Sequence, residues 1–191
     1  MQPTSAPAAD DLSVPCETFA LTAAQRDIWL DQLSRGDSPL YNIGGYVELD
    51  GPLDQALMQA ALESLIARHD ALRTVLLPGV GEDGMPRQAF APTMAVAMPL
   101  FDFSGLDDAH AAAQALLQQQ MEQVYRLDGQ PLLRFSLIRL DEGRHWLEDA
   151  QVAGRDLQRA EPGANTCDVG AVLCRIHCRR CALSGFGSPR P

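Results

Sequence analysis

The stretch that decides the fold is residues 107–147, DDAHAAAQALLQQQMEQVYRLDGQPLLRFSLIRLDEGRHWL. Its first half, 107–126, is rich in Ala, Leu and Gln and begins with acidic residues, which predicts a long helix. The core face predicted for that helix consists of Ala109, Ala113, Leu116, Leu117, Gln120 and Val124. After a turn at 128–131, the second half predicts a strand over 132–140 and a tight turn at 141–144.

The return strand after this turn is predicted to begin at His145 and to end at Leu147, because Glu148-Asp149-Ala150 breaks its apolar pattern. A helix that leads into such a hairpin favours a mixed sheet flanked by helices, so we predict an α/β (α+β) fold. With no strand beyond Leu147, the strand over 132–140 is expected to remain an open edge.

Two further helices are predicted upstream. Thr22 and Gln25 have the spacing of a capping box, which begins a helix that runs to about residue 33. Asp54 is the predicted cap of the second helix. The stripe expected to face the core of that helix is Leu57, Ala60, Ala61, Ser64, Leu65 and Arg68.

The remaining predicted elements are strands. The segment 41–50 alternates so that Val47 and Leu49 lie on one face. Shorter strands are predicted over 72–77, 87–90 and 96–101, and a glycine-rich hairpin loop joins the first two of them.

Composition divides the chain into unlike parts. Residues 1–147 hold 20 acidic residues and 9 arginines, whereas residues 148–191 hold 5 and 6, together with four of the five cysteines. We therefore predict a flexible tail at 1–16, a folded part at 17–147 and an irregular or non-native tail at 148–191. The chain has no Lys, and a tail rich in Arg, Ala, Gly, Pro and Cys is expected from a shifted reading frame in G+C-rich DNA.

Charge and hydropathy exclude two classes of partner. A net charge of -10 disfavours binding to nucleic acid through the overall field. The longest apolar run, 94–101, has eight residues, and a spanning helix needs about 20, so no membrane partner is expected. The N-terminal segment lacks the features of a secretory signal, so the expected location is cytoplasmic.

Several ordered motifs resemble one known family. They are Leu21-Thr22-Ala23-Ala24-Gln25-Arg26-Asp27-Ile28-Trp29, Tyr41-Asn42-Ile43, Gly51-Pro52-Leu53-Asp54, Arg68-His69-Asp70-Ala71-Leu72-Arg73-Thr74 and Gly129-Gln130-Pro131-Leu132-Leu133-Arg134. Their order and spacing over about 17–147 resemble the condensation domains of non-ribosomal peptide synthetases. One departure is Tyr125-Arg126-Leu127, where that family commonly has Pro-Phe-Asp-Leu.

The resemblance implies a fold like chloramphenicol acetyltransferase, with two αβα lobes around a tunnel, of which this chain holds an incomplete N-terminal lobe. It implies amide formation between an acyl thioester and an amine, each presented on the phosphopantetheine of a carrier protein, so that no cofactor binds directly. Carrier proteins and downstream synthetase modules are the implied partners. Residues with an expected structural role are Gln25, Trp29, Tyr41, Asn42, Arg68, His69, Leu72, Arg73, Thr74, Pro131, Leu132 and Arg134.

The family's catalytic motif, His-His-x-x-x-Asp-Gly, is expected to begin within a few residues of Leu147, yet the chain contains no His-His pair. No catalytic residue is therefore assigned. The resemblance implies a truncated or frameshifted domain that is inactive alone. The alternative is a non-catalytic module that binds carrier proteins or other partners.

Other candidate residues have competing interpretations. An arginine of the Arg68–Arg73 segment could pair with the Asp of the missing motif, or Arg68 and Arg73 could offset a helix dipole at its C-terminus, and the missing partner favours the second. His69 is interpreted as a packing or capping residue. Cys174, His177, Cys178 and Cys181 have ligand chemistry for zinc, but structural sites combine two pairs about 12 or more residues apart, so no metal is predicted.

Overall fold

Eight strands and three α-helices are formed by the residues that the computed structural model describes, namely 17–36, 38–79, 81, 84–152 and 183–184. In chain order they are β1 (Thr18–Ala20), α1 (Ala23–Arg35), β2 (Asn42–Asp50), α2 (Gln55–Arg68), β3 (Thr74–Leu77), β4 (Arg87–Phe90), β5 (Leu100–Asp102), α3 (Ala109–Met121), β6 (Leu133–Arg139), β7 (Arg144–Val152) and β8 (Leu183–Ser184). A 3₁₀ turn over Asp70–Arg73 leads from α2 into β3.

The strands form two sheets. The smaller has the order β1-β4-β3 and is antiparallel. The larger has the order β5-β6-β7-β2-β8, in which β5 is parallel to β6 and the other neighbours are antiparallel. This mixed sheet flanked by helices confirms the predicted fold class.

The two faces of the large sheet pack against different helices. One face meets α2 in a core that includes Val47, Leu49, Met58, Leu62, Leu65, Ile66, Phe135, Leu137 and Leu147. The other meets α3 in a cluster of Ala113, Leu117, Ile138, Leu140 and Trp146. Successive side chains of a strand point to opposite faces, so Leu147 lies on the α2 side of β7 and Trp146 on the α3 side.

The helix starts confirm the predicted caps. The Thr22 hydroxyl accepts a hydrogen bond from the Gln25 amide at 3.2 Å, and the Gln25 side chain accepts one from the Thr22 amide at 2.7 Å. Asp54 accepts hydrogen bonds from the first amides of α2 in the same way. These side chains satisfy backbone donors that have no partner within the helix.

The predicted core stripe of α2 is right for Leu65, which is buried, and for Ala61, which packs against the core, but wrong for the rest. Leu57 is 60% exposed, and the buried residues are Met58, Leu62, Leu65 and Ile66. The helix is apolar over more than one face, so its periodicity allows two overlapping stripes. The observed stripe buries the larger side chains and removes more apolar area from water.

Two other predicted boundaries are corrected. Helix α3 ends at Met121 rather than 126, so Val124 is not a helical core residue. Ala113, Leu117 and Gln120 of its predicted face are buried. The strand expected over 96–101 is only Leu100–Asp102, although Val96 and Met98 are buried in the α2 core.

The end predicted for the return strand is also wrong. Strand β7 continues past Leu147 to Val152 and pairs along its length with β2. Strand β6 lies between β5 and β7, and β5 covers the edge that was expected to be open, but among the described residues only from Leu137 to Arg139. Backbone pairing on both sides outweighs the low strand preference of Glu148 and Asp149.

The three-part division into 1–16, 17–147 and 148–191 stays a prediction, because 1–16 and most of 148–191 lie outside the described residues. Within the described ranges, no helix has both the length and the apolar character needed to cross a bilayer.

Candidate functional site

The second half of β7 is the candidate site, because the catalytic motif of the resembled family is expected there. This strand lies in the middle of the large sheet and is paired with β6 on one side and β2 on the other. Glu148 lies opposite Ser136 of β6 and Tyr46 of β2. Alternation places the Glu148 side chain on the α3 face, next in line after Trp146.

Glu148 is a buried carboxylate without a hydrogen bond. It is only 2% exposed, and neither carboxylate oxygen has a hydrogen-bond partner among the described residues. The hydroxyl of Ser136 is bonded instead to the side-chain amide of Gln120 at 2.9 Å. Burial raises the pKa of Glu148 to about 7, and the nearby Ser136 hydroxyl offsets part of that rise. The protonated form is therefore stabilised relative to the charged form.

Asp149 faces the other side of β7 and lies opposite Phe135 and Gly45. It is partly buried, and burial raises its pKa to about 6. Two neighbouring carboxylates thus point to opposite faces of one central strand. They cannot act together on a single substrate atom, because the strand backbone separates them.

The segment that follows α3, residues 122–125, holds the end of β7. The Tyr125 hydroxyl donates a hydrogen bond of 2.6 Å to the carbonyl of Ala150. The guanidinium of Arg134 lies 3.9 Å from the centre of the Tyr125 ring and donates to the Val124 carbonyl at 3.2 Å. Burial raises the pKa of Tyr125, so its hydroxyl stays protonated and able to donate.

Asn42 anchors the same segment from β2. Its side-chain amide donates to the carbonyl of Met121 at 2.6 Å and to that of Gln123 at 2.7 Å. These bonds satisfy carbonyls at the C-terminus of α3, where the helix itself supplies no donors. Asn42 and Arg134, both predicted structural residues, therefore meet on one segment.

The predicted residues Gln25, Trp29 and Tyr41 join α1 to its neighbours. Gln25 is fully buried and donates to Gln88 of β4 at 2.8 Å, which joins α1 to the small sheet. Tyr41 donates to Asp31 of α1 at 2.7 Å. Trp29 packs with Tyr41 against the cluster of Leu76, Tyr125 and Leu132. Pro131, which immediately precedes Leu132, is partly buried.

The Arg68–Thr74 segment makes local contacts. Arg68 is exposed and donates to the Ser64 carbonyl at 3.1 Å. Arg73 donates to the carbonyl of Ile66 at 3.2 Å, near the end of α2, and to that of Ala91 at 2.5 Å. It also pairs with Asp70. These are contacts of the helix-end alternative, in which cations neutralise terminal carbonyls.

Three residues complete this segment. His69 is exposed and provides the C-cap of α2 through its backbone. Leu72 is buried in the α2 core, and the Thr74 hydroxyl donates to the Ala71 carbonyl at 3.0 Å. The described parts of the chain contain no group of three potential metal ligands, and the cysteine cluster at 174–181 lies outside them.

Sequence reasoning missed Glu148 and Tyr125. Reading Trp146, Glu148 and Ala150 as one alternating face would have placed the carboxylate of Glu148 in the interior. The signal for Tyr125 was its departure from the Phe of the resembled motif, which adds a hydroxyl at a buried position.

Comparison with known proteins gives consistent matches. The family model of the condensation domain matches residues 16–148. The isonitrile lipopeptide synthase of Streptomyces coeruleorubidus is 35% identical over 120 residues, which are 63% of this chain and 8% of that protein. The phosphinothricin tripeptide synthetase PhsC of Streptomyces viridochromogenes is 35% identical over 134 residues, 69% of this chain and 12% of that protein.

A solved structure matches over the same part. The starter condensation domain of the rhizomide synthetase RzmA is 34% identical, with a TM-score of 0.67, over 72% of this chain and 32% of that one. The chain thus spans about a third of the solved domain and a small fraction of the curated relatives it matches.

Proposed function

The chain belongs to the condensation-domain family of non-ribosomal peptide synthetases, and we propose that it is an N-terminal lobe of such a domain without the group that performs its chemistry. The reaction of the family would join an acyl thioester on one carrier to an amine on another. The amine nitrogen forms the C–N bond, the thiol of phosphopantetheine leaves, and a base accepts the proton of the amine.

The observation that carries this proposal is the position of Glu148. The match to the family model ends at residue 148, and the next residues of β7 continue a central strand. A carboxylate that is 2% exposed and lacks a hydrogen bond conflicts with the strand around it. Such a conflict between local sequence and fold supports a change of reading frame between residues 147 and 150.

The position of His145 does not favour it as a substitute for the missing pair. His145 is in β7, two residues before Leu147, but it is buried. Its Nδ1 has no hydrogen-bond partner among the described residues, and burial lowers its pKa. It therefore lies close to the expected start of the motif but is held away from solvent.

A second candidate function is a non-catalytic binding module for carrier proteins. The observation in its favour is a set of exposed apolar side chains on α1 and around the start of β2, namely Leu30, Leu33, Leu40 and Ile43. A pull-down with purified carrier proteins tests this function. Specific binding without amide formation would favour the binding module over a lobe that has lost all function.

The DNA around codons 145–150, read in all frames, tests the proposal. We expect an alternative frame to encode His-His-x-x-x-Asp-Gly as the continuation of β7. A sequence in which none of the frames encodes that motif would refute the frameshift. A second measurement compares amide formation by a protein expressed from the restored frame with amide formation by the present chain.

A further inference from the structure

Met121 is the last residue of α3, and its thioether fills the space that a side chain at Gly44 of β2 would need. A Cβ atom built on Gly44 would lie 2.7 Å from Met121 Sδ, which is closer than real Cβ atoms approach another heavy atom. The sulfur therefore packs directly on the backbone of the large sheet. Because protein interiors are closely packed, a group added to this sulfur has to displace either the helix end or the strand.

Backbone atoms of β7 lie on the same side of Gly44 as the sulfur. The Cβ position of Gly44 is 2.8 Å from the carbonyl oxygen of Asp149 and 3.3 Å from Ala150 Cα. A carbonyl oxygen accepts hydrogen bonds and donates none, so it repels a second acceptor placed against it. These surroundings suit the weakly polar sulfur of a thioether and disfavour an oxygen atom bound to that sulfur.

The main chain of Met121 takes part in holding the segment that follows α3. The Asn42 side chain donates to the Met121 carbonyl at 2.6 Å, and the Tyr125 hydroxyl donates to the Ala150 carbonyl at 2.6 Å. A movement of Met121 away from β2 therefore pulls on the bonds by which this segment holds the end of β7.

Met121 is also within reach of solvent. Met58, Met94 and Met98 are buried in the α2 core, whereas Met85 and Met121 are partly exposed. A thioether at a partly exposed position meets a dissolved oxidant, while a thioether in the core is shielded by packed side chains. Met85 lies in the hairpin loop between β3 and β4, so it provides an accessible methionine away from the large sheet.

We propose that Met121 is an oxidation-sensitive latch, at which a peroxide converts the thioether to a sulfoxide and releases the end of α3 from β2 and β7. The sulfur attacks one oxygen of hydrogen peroxide, the O–O bond breaks, and the other oxygen takes up the proton of the first and leaves as water. The sulfur is oxidised and the peroxide is reduced.

The change in polarity at the sulfur drives the release. A sulfoxide is polar, whereas the thioether is apolar, so oxidation favours movement of the sulfur from the Gly44 backbone into water. The modification concerns how α3 is held on the sheet, and it does not depend on whether the chain catalyses amide formation.

Treatment of the full chain with hydrogen peroxide tests this site, with Met121→Leu as the variant and Met85→Leu as its control. Leucine has a volume similar to that of methionine and no sulfur, so each variant removes one thioether and keeps the packing. All three proteins retain the five cysteines, so thiol oxidation affects them equally. Mass spectrometry of peptides gives the fraction of sulfoxide at each methionine.

We expect Met121 and Met85 to be oxidised at least ten-fold faster than Met58. Peroxide should lower the unfolding temperature of the parent and of Met85→Leu by about 5 °C more than that of Met121→Leu. Methionine sulfoxide reductases should reverse this difference, because they restore the thioether and leave overoxidised cysteines unchanged.

Two results would overturn the proposal. One is oxidation of Met121 no faster than that of Met58, and the other is an equal loss of thermal stability in the parent and in Met121→Leu. Hydrogen exchange of the parent gives a readout that needs no variant. Amides of residues 119–125 should exchange several-fold faster after oxidation and return to the original rate after enzymatic reduction. Unchanged exchange with Met121 fully oxidised would contradict the latch.

Discussion

The hydroxyl of Tyr125 lies 2.6 Å from the carbonyl oxygen of Ala150 and ties the segment after α3 to the central strand β7. The ring of Tyr125 is covered by Arg134, and Asn42 binds the same segment from β2. Three strands of the large sheet therefore hold one segment in place. This arrangement fixes the end of β7.

Tyr125→Phe is expected to lower the free energy of unfolding by about 1–3 kcal/mol, because it leaves the buried Ala150 carbonyl without its donor. Urea unfolding measures the effect. Arg126→Ala is the control, since its ion pair with Asp128 is exposed and its loss should cost less than about 0.5 kcal/mol. Equal stability of Tyr125→Phe and the parent protein would mean that the hydrogen bond does not hold β7.

Glu148 is expected to make stability fall as the pH rises. Its pKa is about 7 in the folded chain and 4.5 as the ordinary value, so the folded state binds the proton more tightly. Its contribution is fully present below pH 4.5 and is lost as the pH rises through about 7, a difference of about 3 kcal/mol. Asp149, with its pKa raised to about 6, acts in the same direction.

Urea unfolding of the parent and of Glu148→Gln between pH 5 and pH 8 isolates this contribution, because glutamine does not titrate. We expect the difference between the two proteins to change by a few kcal/mol in favour of the variant as the pH rises. A difference that stays constant across this range would show that Glu148 is solvated.

Gly44→Ala is expected to destabilise the chain by about 1–3 kcal/mol through overpacking. A Cβ atom at this position would lie 2.7 Å from Met121 Sδ and 2.8 Å from the carbonyl oxygen of Asp149. Gly45→Ala is the matched control, because nothing lies within 4 Å of its added Cβ. That variant should match the parent or gain up to about 1 kcal/mol from reduced chain entropy. Thermal unfolding of both variants tests this prediction. Similar losses of stability in the two variants would refute the close packing around Gly44.

Gln25→Ala is expected to cost about 2–3 kcal/mol, because it removes the side-chain half of the capping box of α1, in which Gln25 accepts from the Thr22 amide, and the buried bond to Gln88. Gln114→Ala in α3 is the control, since Gln114 is exposed and alanine favours helices. The midpoint of urea unfolding measures the effect of each substitution. A loss below about 0.5 kcal/mol for Gln25→Ala would show that α1 is not anchored through this residue.

Local features such as helix caps were predicted from the sequence more accurately than the packing of side chains. The caps at Thr22 and Asp54 depend on side chains within three residues of the backbone groups they bind, so spacing alone identifies them. The stripe of α2 could not be chosen from its sequence, since Leu57 and Met58 are both apolar and only the sheet decides which one is buried. Strand β7 continues through Glu148 because of pairing with β2, which is distant in sequence.

The most direct test of the proposed function is a turnover assay of the purified chain with an acyl-loaded donor carrier and an aminoacyl-loaded acceptor carrier. Mass spectrometry of the acceptor phosphopantetheine detects the amide product, and a complete condensation domain with the same carriers serves as the positive control. A chain that lacks the proton-accepting histidine pair should give no more product than carriers mixed without it. Amide formed in repeated turnovers by this chain alone would contradict the proposed function.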